Sequence, residues 1–415
     1  MVKLFSLCLA LVLSFTILMP PTAIAASTPP LLDSTQQTLV LSFLSNAISG
    51  VEGEPEDLTQ KLTDKINLVF ADPTMQSYLG KWELVWGPAI YQLASDQSAL
   101  DELANDYPML ADRLSELKYA DDAMYVARQN NRYVVAIAGT NDESLYSWLF
   151  QNFDVKSNRQ VPWPYGNPLE NLDPKISGGT NEGLQNLLGM TSSGQSLLEF
   201  LGTIVADGNN PEIIFTGHSL GGALSPTLAL AVFDRSSEWA KGNDFSIFVE
   251  PSAGPTPGNN DFSKYYGDRL GESTKRIWND LDIVPHAWNQ KMLNQIPNIY
   301  DEIQPSQVII CLVRIAQRRA SGGKYVQLLP EEESLEGEFS DSANICLSGY
   351  HLGDSVDRPS LLEQNVKSLK FCSESDLPEQ DVEFLQQSLY QHTEAYAVLL
   401  DLVDPYCYLN ELIMN

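Results

Sequence analysis

Hydrophobic and polar positions along the chain change their period twice. A lone charge, Lys3, precedes an apolar run from Leu4 to Leu18, and Pro20-Pro21 and the small triplet Ala23-Ile24-Ala25 follow it. From Ser34 to about Lys118, apolar residues return at spacings of three and four. Examples are Val40, Phe43, Leu44 and Ala47, then Leu58, Leu62, Ile66 and Phe70, then Leu100, Leu103, Leu110, Leu114 and Leu117. This period predicts helices, interrupted at Gly50, Pro73, Gly87 and Pro88. The period then shortens. Met124 to Arg128 and Tyr133 to Ala138 read as strands around the polar turn Gln129-Asn130-Asn131. Beyond them the pattern predicts a strand over Glu212 to Thr216, a helix over Gly221 to about Phe233, and strands over Ser246 to Glu250 and Lys275 to Trp278. Strands alternating with helices imply an α/β sheet covered on both faces. After Pro285 the pattern weakens into an apolar helix (Val308 to Ile315), a short strand (Tyr325 to Leu329) and an acidic run, Glu331 to Glu338, read as a solvated loop. An amphipathic helix closes the chain from about Glu379 to Leu402, with Val382, Leu385, Leu389, Tyr396 and Leu399 on one stripe. No internal repeat is present.

The beginning of the chain has the three parts of a secretory signal peptide: a positive charge, an apolar stretch too short for the roughly 20 residues of a membrane span, and an A-x-A site. Cleavage after Ala25 is expected, with an uncleaved anchor as the alternative. A secreted product would keep four cysteines, Cys311, Cys346, Cys372 and Cys407, enough for two disulfides in any of three pairings. Buried free thiols are the other reading, and no C-x-x-C spacing suggests zinc. Charge narrows the partners. With 25 Lys plus Arg against 54 Asp plus Glu, the formal net charge is −29, which disfavours nucleic acid and anionic membrane surfaces. At 43% hydrophobic residues the chain nonetheless has the composition of an ordinary globular protein with a sizeable core.

One short motif carries chemistry. Gly217-His218-Ser219-Leu220-Gly221 fits G-x-S-x-G, a pattern that chance alone would place in about one chain in seven of this length. Its context makes it specific: Ile213-Ile214-Phe215 enters as a buried strand and Gly221-Gly222-Ala223-Leu224 leaves as a helix, the setting of a nucleophile elbow. Glycines suit so sharp a turn because a Cβ would keep strand and helix apart. Ser219 is then the candidate nucleophile, and the Leu220 amide, at the positive end of the helix, is placed to bind an oxyanion.

Four separated segments together resemble the class 3 lipase, or fungal-lipase-like, family of α/β hydrolases. They are Val134-Val135-Ala136-Ile137-Ala138-Gly139-Thr140, the elbow with its Gly-Gly-Ala-Leu continuation, Gly254-Pro255-Thr256-Pro257-Gly258-Asn259 with Phe262, and Asn279-Asp280-Leu281-Asp282-Ile283-Val284-Pro285. They cover about residues 124 to 290. The resemblance implies an α/β-hydrolase fold with a mostly parallel central sheet. It divides the chain into a signal peptide (1–25), an N-terminal helical segment packed on the core (26–118), and a catalytic domain (119–415) with a variable insertion at about 291–375.

The resemblance also implies the site. Asp282, standing before Ile-Val-Pro, becomes the acid of a Ser-Asp-His triad, with Asp280 as the alternative; the carboxylate would fix the tautomer of the base. Among the four histidines, His218 is read as packing under the elbow, and His286 sits on the acid's own loop. His351 and His392 remain. His392 is similar to the family's late His-x-x-x-Tyr and is taken as the base, with His351 as the alternative. Thr140 would supply the second half of the oxyanion hole. The aromatic-rich stretch Glu143 to Phe153, including Leu145, Trp148, Leu149 and Phe150, would form a lid, although an ordinary core helix would read similarly. No cofactor or metal is implied. The expected activity is hydrolysis of acylglycerols or related lipid esters, with phospholipid or galactolipid A1-type cleavage as a variant. An inactive hydrolase fold used for binding would be expected to lose Ser, Asp or His, and all three are present.

Overall fold

The computed structural model describes residues 30–98, 101, 118–139, 154–168, 171–340, 345–348 and 379–414. The chain enters through three helices: α1 (Ser34–Leu44), α2 (Pro55–Ala71) and α3 (Pro73–Leu79). Asp33 caps α1 by accepting the Gln36 amide, and the Gln36 side chain returns the bond to the Asp33 backbone. This reciprocal capping box satisfies two otherwise orphaned donors.

A strand then follows where the three-and-four spacing predicts only helix. β1 (Glu83–Tyr91) pairs antiparallel with β2 (Asp122–Gln129), with register shifts around Trp86. Gly87-Pro88 explains the misreading. Taken as a helix breaker, the dipeptide instead sits in the irregular edge of the sheet, where a residue without an N–H is tolerated. A side chain at Gly87, whose φ is +82°, would stand 2.9 Å from the Met124 carbonyl. β2 returns through a two-residue turn, with Asn130 at φ +57°, to β3 (Arg132–Ile137). The left-handed conformation suits asparagine and closes a tight hairpin.

The rest of the sheet is parallel. After α4 (Gly178–Gly189) and α5 (Leu197–Ala206), β4 (Glu212–His218) pairs with β3, and after α6 (Leu220–Asp234), β5 (Ser246–Ser252) pairs with β4. The order is β1-β2-β3-β4-β5, so the sheet is mixed, antiparallel on its first two pairings and parallel on the next two. The stretch expected as a strand at Lys275 to Trp278 lies beside β5 through isolated bridges, Val249 to Thr274 and Ser252 to Ile277, without a continuous ladder. Tyr325 likewise makes one bridge, to Asn259, and the stretch to Leu329 forms no strand.

Alternation along the strands feeds two cores. Met124, Val126, Val135 and Ile137 face α4, α5 and α6, packing with Leu184, Leu201, Leu224 and Leu228. Tyr125, Ala127, Val134 and Ala136 face the N-terminal helices, with Leu41, Leu44, Leu58, Leu62 and Ile66. Because both faces are covered, the strands read as continuous apolar runs. A third cluster joins Ile283, Val284 and Trp288 to α7 (Gln307–Arg319), the apolar helix expected in this region.

The closing helix is three. α8 (Glu379–His392) stops, Thr393 breaks the helix at φ −122° and ψ −80°, and α9 (Glu394–Leu399) and α10 (Val403–Met414) follow. Cys346 is bonded to Cys407 on α10, which selects one of the three pairings for these two residues, and Cys311 is also in a disulfide. The acidic run exposes Glu331, Glu333, Glu336 and Glu338, but its backbone is tied down: Leu335 donates to the Trp278 carbonyl at 2.7 Å. Among the described residues no helix is long and apolar enough to cross a membrane. The expected signal peptide lies outside the described residues.

Asp122 opens β2 with a buried carboxylate that accepts from Asn186 Nδ2 at 2.8 Å. Burial pushes its pKa up to about 7, against the opposing Asn186 hydrogen bond. The folded value exceeds the unfolded one, so this group's contribution is fully present below pH ~4 and is lost as pH rises through about 7. Asp122→Asn keeps an acceptor for Asn186. We expect it to be more stable than the parent at pH 8, by up to about 4 kcal/mol, with the gain vanishing near pH 4. Urea unfolding at the two pH values measures this, and an equal difference at both would refute it.

Candidate active site

β4 ends at His218 and α6 begins at Leu220, leaving Ser219 alone in the turn at φ 61° and ψ −120°. A non-glycine residue held there carries strain of about 1–3 kcal/mol, sustained only when its surroundings fix it. They do: the Ser219 amide donates to the Ser252 carbonyl on β5 at 3.1 Å, and the Gly222 amide donates to the Ser219 carbonyl at 2.9 Å. Two glycines make the turn fit. A Cβ on Gly221 would stand 2.4 Å from the Ile137 carbonyl, and one on Gly222 would stand 2.2 Å from the Ser252 carbonyl. Both obstacles are backbone, so α6 could not lie against β3 and β5 with larger residues. Leu220 occupies the first helical position, where the N–H has no intrahelical acceptor.

Asp282 is fully buried, and both its oxygens are engaged. Oδ1 accepts from the Val284 amide at 2.9 Å, and Oδ2 accepts from the Tyr396 hydroxyl at 2.9 Å and from His392 Nδ1 at the same distance. A carboxylate can only accept, so Nδ1 of His392 carries the hydrogen and Nε2 of the neutral ring presents its lone pair. His392 Nε2 and Ser219 Oγ are both buried, and among the described residues neither makes a hydrogen bond. The base, the acid and the serine of the sequence reading are thus brought into one buried group of residues.

Around them is a shell that sequence reasoning read only in part. His218 packs under the elbow as expected, but its ring does more. Nε2 lies 2.7 Å from the His392 carbonyl and Nδ1 lies 3.0 Å from Ser252 Oγ. A carbonyl only accepts, so Nε2 donates, and Nδ1 takes the serine proton. Burial, with His392 beside it, holds the His218 pKa well below the usual imidazole range and keeps the ring neutral. The two rings lie 4.9 Å apart at 38°. Tyr396, placed by its apolar spacing on the core stripe, is also a ligand: its hydroxyl donates to Asp282 and accepts the Asn279 amide at 3.1 Å. Burial, reinforced by Asp282, raises its pKa well above the ordinary phenol value, so it stays protonated. Asn279 Nδ2 reaches Gln391 Oε1 at 2.6 Å, tying the acid's loop to α8. The His-x-x-x-Tyr spacing was the one signal that could have revealed Tyr396.

The alternatives separate. Asp280 does not point with Asp282. A turn closed by the Asp282 amide on the Asn279 carbonyl divides them, and Asp280 Oδ1 accepts the Gly337 amide in the acidic loop. His286 donates Nδ1–H to the Asp282 backbone carbonyl at 2.8 Å, which turns it away from the serine, and burial lowers its pKa. His351, Thr140 and the lid residues Leu145, Trp148, Leu149 and Phe150 lie outside the described residues. Among the described residues no group of His, Cys, Asp and Glu could hold a metal ion.

Comparison with known proteins accords with this geometry. The sequence profile of the family Lipase (class 3) matches residues 134–292, from the middle of β3 to beyond the acid's loop. In space the chain is similar to M37 lipase, at 28% identity and a TM-score of 0.69, over 92% of this chain and 98% of that one. Likeness to Rhizomucor miehei triacylglyceride lipase is more distant: 23% identity, TM-score 0.30, covering 40% of this chain and 56% of that one. A lipase from Rhizopus microsporus var. chinensis is 16% identical, with a TM-score of 0.39, over 66% and 76%. Those last two carry no argument; the profile, the strained serine turn and the near full-length match to M37 lipase do. Residues 134–292 match the class 3 lipase family, and the chain is a carboxylic ester hydrolase of the triacylglycerol lipase type with an α/β-hydrolase fold.

Proposed function

We propose that Ser219, His392 and Asp282 form the catalytic triad of a secreted lipase. The observation that carries this is a pair of buried groups unbonded among the described residues: a hydroxyl on a strained turn and an imidazole Nε2 whose far side is locked on a buried carboxylate. Ser219 Oγ attacks the acyl carbonyl as its proton passes to His392 Nε2. The imidazolium so formed is stabilised by Asp282, which keeps its own negative charge. His392 then protonates the departing alcohol; in the second half it takes a proton from a water that attacks the acyl carbonyl, and it returns that proton to Ser219 Oγ as the carboxylic acid leaves. The Leu220 and Thr140 amides stabilise the tetrahedral oxyanion; one such donor is worth roughly 3–4 kcal/mol in a dry site.

The substrates are acylglycerols or related lipid esters, with phospholipid or galactolipid A1-type cleavage as the variant. The charge of −29 favours uncharged ester surfaces over anionic ones. The stretch from Glu143 to Phe153, with Leu145, Trp148, Leu149 and Phe150, serves as a lid over Ser219, and the chain is exported after cleavage behind Ala25.

Ser219→Ala should lower kcat on p-nitrophenyl esters by at least ~10³-fold in a protein that still folds. Retained activity would remove Ser219 as nucleophile. Activity should be higher on neutral acylglycerol emulsions than on anionic phospholipid at low salt, and the reverse order would remove the charge argument. Tyr396→Phe deletes one hydrogen bond to the Asp282 carboxylate and leaves the Asn279 amide unmatched. A bond to a charged group contributes about 1.5–3 kcal/mol, so kcat should fall about 10- to 100-fold with KM little changed. Unchanged kcat would show that Asp282 is held without it.

A further inference from the structure

One segment of this acidic chain has the opposite sign. Residues 286–330 hold five Lys and Arg against two Asp and Glu, where the whole chain has 25 against 54. α7 carries most of the excess. Val308, Ile309, Leu312, Val313 and Ala316 form its buried face, while Arg314 and Arg318, four residues apart, stand exposed on the other face and Arg319 is half-buried. Like charges at this spacing repel, so helix stability does not account for the pair. The helix dipole accounts for Arg318 and Arg319 in the last turn, but not for Arg314 before it.

Neighbouring segments add to this face. Gln290 Nε2 donates to the Gln317 carbonyl at 2.9 Å and Gln317 Nε2 to Asn294 Oδ1 at 2.6 Å, which sets exposed Lys291 beside the end of α7. The loop after α7 carries exposed Lys324, and Gln160 Nε2 binds it through the Gly323 carbonyl at 2.8 Å. A Cβ on Gly322 would stand 3.2 Å from Ser157 Oγ, so exposed Lys156 is carried there too. Among the described residues no carboxylate forms an ion pair with Lys156, Lys291, Arg314, Arg318 or Lys324. Asp154, the acid nearest Lys156 in sequence, is taken by Arg159. The face also lies close to the site. The buried side of α7 shares its apolar cluster with Leu220 and Ile283, the residues after Ser219 and Asp282. A helix with its side chains is about 10 Å thick, so the cations stand roughly that far beyond the neighbours of the triad.

We propose that this cationic face of α7 docks on a neutral lipid surface bearing the fatty-acid carboxylates that ester hydrolysis releases. The inference deepens the reading of the protein as a lipid-ester hydrolase and rests on it. Charge complementarity selects the occupant. A densely anionic surface would repel a chain of net charge −29, whereas a neutral surface carrying few carboxylates meets mainly the cations nearest to it, because charges more than about 10 Å apart are screened at 0.1 M salt. Hydrolysis of a neutral acylglycerol makes such a surface: water adds to the acyl carbon, the alcohol leaves, and the acid stays in the lipid and ionises. Product would then hold the enzyme, with the site turned toward the lipid, where substrate remains.

The test measures binding of the full-length Ser219→Ala protein to phosphatidylcholine vesicles at pH 9 and about 0.1 M salt, without additive, with about 10% oleic acid, or with about 10% phosphatidylglycerol. Arg314→Glu/Arg318→Glu is added to this background. A control, Lys61→Glu/Lys81→Glu, makes the same change in net charge at exposed positions of the N-terminal segment. Oleic acid should tighten binding at least about 10-fold, the α7 pair should abolish that gain, and the control should keep it within about twofold. Arg314→Gln/Arg318→Gln serves if the reversed pair folds poorly, and should lose most of the gain. With active enzyme on a triolein emulsion, the bound fraction should rise as acid accumulates and fall when albumin removes it. Equal loss in the α7 and control pairs would reduce the effect to net charge and overturn the proposal. So would a gain from phosphatidylglycerol with none from oleic acid, which would assign the face to a phosphate head group. The reading of the triad stands apart from these outcomes, since it fails only if Ser219→Ala still hydrolyses esters.

Discussion

A carboxylate with no exposure to water is the constraint from which the rest of this molecule follows. Removing an ionised group from solvent costs several kcal/mol unless its lone pairs are matched, and leaving one unmatched is worse than having no charge there. Asp282 meets the condition with donors from three places: the Val284 amide in its own loop, His392 at the end of α8, and Tyr396 in α9. The last two lie more than a hundred residues further along the chain. The C-terminal helices must therefore return across the molecule to the loop after β5. The disulfide from Cys346 to Cys407 ties α10 to the segment ahead of them.

How much of this was legible depended on whether the determinant was local. The elbow was, because a strand, a crowded turn and a helix each leave a mark in consecutive residues, and Gly221 and Gly222 are required by backbone they touch directly. Asp282 and His392 were reached through family spacing, not through physics in the chain, since nothing near Asp282 states which histidine will arrive. β1 was missed because Gly87-Pro88 is equally good punctuation for a helix end and for an irregular edge strand. Tyr396 was legible as a buried residue but not as a ligand, because a stripe at helical spacing records burial and is silent about where a hydroxyl points. Asn46, whose Oδ1 accepts the Gly139 amide at 2.8 Å, left no signal at all: an asparagine after a helix is commonplace, and its partner is 93 residues away.

Two layers of histidine divide the work at the centre. As the proposed base His392 would gain and lose a proton, and its Nε2 makes no hydrogen bond among the described residues; His218 is held neutral by its environment. Burial and the neighbouring imidazole both oppose a charge on His218, while Ser252 and the His392 carbonyl occupy its two nitrogens in the neutral form. A second cation 4.9 Å from His392 would work against formation of the imidazolium that the proposed mechanism needs. Adjacent rings of the same residue type thus hold opposite roles, set by what each nitrogen touches.

The break after His392 belongs to the same arrangement. In an uninterrupted helix the His392 carbonyl would accept the amide of residue 396, and it could then offer little to a donor outside the helix. Thr393 interrupts the run, and its hydroxyl turns back to the Leu389 carbonyl at 2.7 Å. The released carbonyl is taken by His218 at 2.7 Å. An internal bond of the helix is thereby exchanged for one to the residue beside the nucleophile. The serine turn and the proposed base then share a direct link through His218, Ser252 and the end of α8. A continuous helix would have carried His392 and Tyr396 on one face equally well, but it would have left the base attached to the elbow only through packing.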